Sequence, residues 1–191
     1  MSTATATLPV ATVDFQTLDP TGTVSLVGSA CTPVKNLRYI PLPNGPPVLN
    51  DKTIVKTIAA GSGFQPPCRR CLYDALPGEI VHLISYNAYA GATEGTTDVY
   101  AGPTAIFVHA DETDCKDLRG ARSEMPETQM NRKNAIRAYS KEGFMIAAEE
   151  ATGKEEFERI AGELLADEEK TEYALVFNSK PGCFAVRIER A

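Results

Sequence analysis

The chain has 191 residues, 43% of them hydrophobic, with a formal net charge of −6. That size and apolar content suit a domain with a real core, which excludes a fibrous or wholly disordered chain. The acidic balance argues against a nucleic-acid-binding surface, which needs concentrated Lys and Arg to neutralise phosphates.

Residues 1–20 are rich in Thr and Ala and nearly uncharged, and are expected to form a flexible N-terminal tail before a single α+β domain over 21–191. The N-terminus lacks a positive region followed by a long apolar core, so no secretory signal is read there. No stretch approaches the ~18 apolar residues of a membrane span. Five widely spread cysteines, an odd number, fit reduced thiols better than a disulfide framework, and a soluble cytoplasmic protein is expected.

Short β-like pieces are expected at 23–27 and 37–42, and the proline-rich stretch 41–47 cannot be regular structure. Over 50–60, Ile54, Val55, Ile58 and Ala59 recur at near-helical spacing and favour a short helix. Their β-branched side chains make a strand the close competitor. Residues 79–89 read as a strand whose apolar run at 80–84 suggests burial on both faces, with His82 a satisfied core histidine. A polar loop follows, then a buried strand over 104–109. Residues 111–134 read as irregular, with room for one short helix.

The C-terminal part is patterned more clearly. A strand is expected at 144–148. Thr152 and Glu155 form a capping box for a helix whose Phe157, Ile160, Ala161, Leu164 and Leu165 make one apolar stripe. Strands at 173–177 and 183–189 are joined by a turn through Pro181 and Gly182. Strand, helix and hairpin together predict an α+β fold built on a largely antiparallel sheet. Acidity concentrates over 141–172, with eleven Asp and Glu against four Lys and Arg, and is read as a solvated helix and its flanks.

Five motifs in order carry a resemblance. They are Cys68-Arg69-Arg70-Cys71-Leu72 with Asp74 and Pro77-Gly78-Glu79; Ser85-Tyr86; Gly102-Pro103 with Ile106-Phe107-Val108-His109; Arg137-Ala138-Tyr139 with Gly143-Phe144-Met145; and Pro181-Gly182-Cys183-Phe184 with Arg187. Over roughly 64–191 the chain resembles the domain-of-unknown-function family 1203. The resemblance implies a compact domain and carries no activity or catalytic residues with it.

Two thiols and two guanidiniums in residues 68–71 are the densest chemistry in the chain. One reading makes Cys71 a nucleophile, its thiolate favoured by the neighbouring arginines, with His109 as base. Arg70 or Arg137 would then hold an anionic group of a small ligand, and Tyr86 and Cys183 would line the same pocket. The competing reading packs Cys71 and Leu72 into the core while the arginines pair with Asp74 and Glu79. Cys68 and Cys71 also have the spacing of half a tetrahedral zinc site. No second half is adjacent; Cys115, Cys183, His82 and His109 would have to converge through the fold. No cofactor and no metal ligand is therefore assigned from sequence, no nucleic-acid or membrane partner is expected, and no protein partner is read. Phosphate-loop, dinucleotide and hydrolase-elbow signatures are absent. A pocket enzyme or ligand-binding domain, a non-catalytic interaction or regulatory domain, and a zinc-stabilised domain all remain open.

Overall fold

A computed structural model describes residues 32–89, 100, 102–115 and 124–191. The expected tail, the β-like piece at 23–27 and most of the loop 91–103 lie outside the described residues. The described residues form eight strands, β1 (Leu37–Ile40), β2 (Ile54–Ala59), β3 (Ile80–Tyr86), β4 (Thr104–His109), β5 (Asn134–Tyr139), β6 (Met145–Ala151), β7 (Tyr173–Asn178) and β8 (Phe184–Arg190), and two helices, α1 (Glu127–Met130) between β4 and β5 and α2 (Lys154–Leu164) between β6 and β7. A 3-10 turn, Glu112–Asp114, follows β4.

The strands form a five-stranded sheet in the order β1-β8-β7-β5-β6 and a three-stranded sheet in the order β2-β3-β4. Every strand pair is antiparallel. The α+β expectation of a largely antiparallel architecture therefore holds.

The large sheet is covered on both faces. On one side α2 lays down its stripe of Phe157, Ile160, Ala161, Leu164 and Leu165 against Ile136, Val176 and Val186. On the other, Tyr139, Tyr173, Leu175, Phe177 and Phe184 pack with Ile84, Ile106 and Val108 of the small sheet. This explains why all six residues of β7 are buried. A central strand covered on both faces reads as an apolar run, not as an alternation. The Phe184 backbone N–H donates to Thr104 Oγ1 at 3.2 Å, tying the starts of β8 and β4.

Several local expectations need correction. Residues 54–59 form an edge strand, not a helix, paired with β3 from Ile54↔Ile84 to Ala59↔Ile80. Cross-strand pairing outweighed the near-helical spacing of β-branched residues. β3 is not buried on both faces; Ile80 and Ser85 are exposed, and His82 is half-buried with Nδ1 2.9 Å from Thr57 Oγ1. β5 had no counterpart among the expected strands. The cap of α2 is shifted by one residue: Glu156, not Glu155, accepts from the Thr152 N–H at 2.8 Å, and Gly153 holds the N-cap position without a side-chain bond.

Candidate metal centre

Three short segments converge at one end of the small sheet. The first is a tight knuckle over 66–75. Its closing bonds are Cys68 N–H to Tyr73 O at 2.8 Å and Ala75 N–H to Pro66 O at 3.0 Å. The Leu72 N–H bonds back to Cys68 O at 2.8 Å, so the chain reverses between the two cysteines. That reversal puts Leu72 at φ 65°, the one non-glycine residue with positive φ among those described. Left-handed backbone costs a non-glycine residue roughly 1–2 kcal/mol. Complete burial of the Leu72 side chain in the large-sheet core, worth about 1.5–3 kcal/mol, offsets it.

The knuckle is fastened to β4 by Arg69 N–H donating to Phe107 O at 2.7 Å. β4 then delivers His109 at its last position. The 3-10 turn that follows, capped by the Asp111 carboxylate accepting from the Thr113 N–H, delivers Cys115.

The result is four donor atoms, one each from Cys68, Cys71, His109 and Cys115, all within 4.8 Å of one another. All four residues are buried. The Cys68 and Cys115 sulfurs are 3.7 Å apart, Cys71 Sγ is 3.7 Å from His109 Nδ1, and Cys115 Sγ is 3.3 Å from the same nitrogen. For zinc with bond lengths of about 2.3 Å to sulfur and 2.0 Å to nitrogen, tetrahedral angles give edges of about 3.8 Å between sulfurs and about 3.5 Å between sulfur and nitrogen. The observed spacings lie close to these edges.

The surroundings fit the same chemistry. The His109 backbone N–H donates to Cys68 Sγ at 3.3 Å, a bond that favours thiolate over thiol. The ring's other nitrogen, Nε2, is 3.1 Å from Glu79 Oε2. An ionised carboxylate only accepts, so this contact keeps the proton on Nε2 and turns the Nδ1 lone pair toward the three sulfurs. The same Glu79 oxygen accepts from the Leu76 N–H at 2.7 Å, which fixes the carboxylate. Glu79 also lines a surface groove of about 840 Å³ with Ile80, Asp111 and Glu112, so solvent reaches the histidine's outer partner.

Without a cation the cluster polarises internally. The Cys68 thiol is held far below its ordinary range by hydrogen bonds from Cys115 and then Cys71, and Cys115 is pushed up by the same contacts. The His109 imidazole is raised to about 10, chiefly by its hydrogen bonds with Cys68 and Cys71, against the opposing effect of burial. Three buried sulfurs cannot all ionise beside one another unless a cation supplies the compensating charge.

The remaining sequence candidates are dispersed. Arg70 leaves the knuckle to meet Glu112 at 3.4 Å. Arg137, on β5, lies over the Phe177 ring at 4.7 Å. The Tyr86 hydroxyl accepts from the Asn44 N–H at 2.9 Å. Cys183 receives the Asn178 amide at 3.5 Å. Asp74 and Glu79 do not take the pairings expected with the local arginines: Asp74 bonds Arg132 and Gln129, both at 2.7 Å, and Glu79 bonds His109. Cys68, Cys115 and Glu79 are the participants outside the pocket read from sequence: Cys68 and Cys115 entered there only as possible zinc ligands, and Glu79 as a partner for the arginines.

The family model for "Protein of unknown function (DUF1203)" matches residues 65–190. No curated protein and no solved structure matches the chain. No helix among the described residues is long and apolar enough to cross a membrane.

Proposed function

The chain belongs to the DUF1203 family, and we propose that it is a zinc-stabilised domain in which Cys68, Cys71, His109 and Cys115 close a tetrahedral site. The observation that carries this reading is the convergence of four buried donor atoms at tetrahedral spacing. Four protein ligands leave no open position, which is the pattern of structural zinc rather than of a zinc that activates water. Soft thiolates with one imidazole favour zinc over magnesium or calcium, which take oxygen ligands. Three thiolates and a neutral imidazole around the ion would leave a net charge of −1.

One arrangement supports a second reading, that of Cys71 as nucleophile with His109 as base. The Cys71–His109–Glu79 chain has the order of nucleophile, base and orienting carboxylate, with the histidine 3.7 Å from one partner and 3.1 Å from the other. In this reading Arg70, Arg137, Tyr86 and Cys183 would bind an anionic substrate. Full burial of Cys71 and a second sulfur, that of Cys115, at the same imidazole nitrogen weigh toward the metal.

Elemental analysis of tag-free protein purified under reducing conditions tests both. One zinc per chain is the expected result. A chain that stays metal-free after refolding in zinc, and whose Tm is indifferent to chelator, removes the metal reading and leaves alkylation of Cys71 as the measure of the second.

A further inference from the structure

The metal reading uses Cys68, Cys71 and Cys115 and leaves Cys183, which is half-buried at the start of the β8 segment. Its neighbours are unusual. Arg69, the residue between the knuckle cysteines, is 0% exposed. Its Nη1 donates to Gln129 Oε1 at 3.2 Å, while Nε and Nη2 have no hydrogen-bond partner of normal geometry among the described residues. The guanidinium lies against the Cys183 side chain. Local bonding and strand pairing lead the same way: Gln129 O accepts from Asn134 Nδ2 at 3.0 Å, Asn134 pairs with Asn178 across β5 and β7, and Asn178 Nδ2 donates to Cys183 Sγ at 3.5 Å. A buried guanidinium with two unmet donors is costly, and a thiol sulfur is a weak acceptor for them.

We propose that Cys183 is a peroxide-modified thiol, oxidised to a sulfenic acid whose new oxygen takes the unmet donors of Arg69. The co-reactant is hydrogen peroxide or a small alkyl hydroperoxide. The Cys183 sulfur attacks one peroxide oxygen; an S–O bond forms, the O–O bond breaks, and the leaving oxygen departs with the thiol proton as water or alcohol. Sulfur is oxidised by two electrons and the peroxide is reduced by two. Arg69 and the Asn178 amide stabilise the negative charge that develops on sulfur and oxygen. Partial exposure admits a small oxidant, while the ligand thiols are buried. The proposal does not depend on zinc.

The test treats the full-length folded protein with sub-stoichiometric hydrogen peroxide and a carbon-acid trap for sulfenic acids, then maps adducts by peptide mass spectrometry. Adduct at Cys183, forming at least about 10-fold faster than in the same chain unfolded in denaturant, is expected. Adduct mainly at Cys31, or spread evenly over the cysteines, or a Cys183 rate equal to that of the unfolded chain, overturns it. Arg69→Met is expected to abolish the advantage, and a folded Arg69→Met protein with the parent rate also overturns it. Should that variant fail to fold, the native-to-unfolded rate ratio of the parent decides alone.

Discussion

The four described cysteines separate into two kinds by their neighbours, and substitution should separate them again. Cys115 faces Cys68 and His109, so Cys115→Ser should lose the bound zinc and at least about 3 kcal/mol of stability. For a chain of this length that is a Tm drop of roughly 6–12 °C. Cys183→Ser should keep one zinc and shift Tm little; equal zinc contents in the two variants would contradict the assigned ligand set. Glu79 acts through His109, so Glu79→Gln keeps a hydrogen-bond partner but weakens its hold on the ring. Zinc affinity, read by competition with a chromophoric chelator, should fall about 10–100-fold while saturating zinc still gives one ion per chain. An unchanged affinity would make Glu79 a mere lid on the cluster. At this scale the sequence displayed only half the centre. Cys68 and Cys71 announce themselves by spacing, whereas His109 lies 38 residues beyond Cys71 and Cys115 another six on. Those intervals match no local motif; only the pairing of the knuckle with β4 brings the halves together.

Elements whose burial is one-sided were legible, and those shaped by tertiary contact were not. The stripe of α2 is read directly from residues 157–165, because a helix with one covered face must repeat near every 3.6 residues. β2 lies at a sheet edge with Val55 exposed, so no core alternation marks it as a strand. β5 sits between β6 and β7, and its small residues Ala135 and Ala138 gave no apolar run to detect. Contact also decides the sign of one substitution. The Gly162 carbonyl, inside α2, accepts from the Val34 N–H at 3.1 Å, and a Cβ built at Gly162 would stand 2.5 Å from Val34 O. In an exposed helix Gly→Ala gains about 1 kcal/mol. Here the obstacle is backbone, which cannot rotate aside, and overpacking of this kind costs about 1–3 kcal/mol. Gly162→Ala should therefore lower Tm, and a rise would show that the segment at Val34 is not held against α2.

On the zinc reading, the two sheets should not depend on the metal equally. The large sheet has a helix on one face and the small sheet on the other, so most of its strands are fixed by two cores. The small sheet has one extensive core face, an edge strand with mostly exposed side chains, and a minor cluster around Ala60, Ala75 and Val81. Its free end is held by the knuckle and the cysteine–histidine cluster. Removing zinc would leave three sulfurs and an imidazole in a buried space with no divalent cation to compensate the thiolates. Local stability should then fall where the ligands sit, and not uniformly. Hydrogen exchange with and without chelator reads this out. Amides of Val81, Ile106 and Val108 should lose protection on chelation, while those of Leu175 and Val176 in β7 keep theirs. Acidification should act in the same direction, because protons compete with zinc for thiolate and imidazole, so protection in β3 and β4 should rise with pH from about 5 to 8 in the zinc-loaded protein. Equal loss in both sheets would mean that the centre supports the whole core; no loss in either would mean that the knuckle's backbone bonds suffice without a metal.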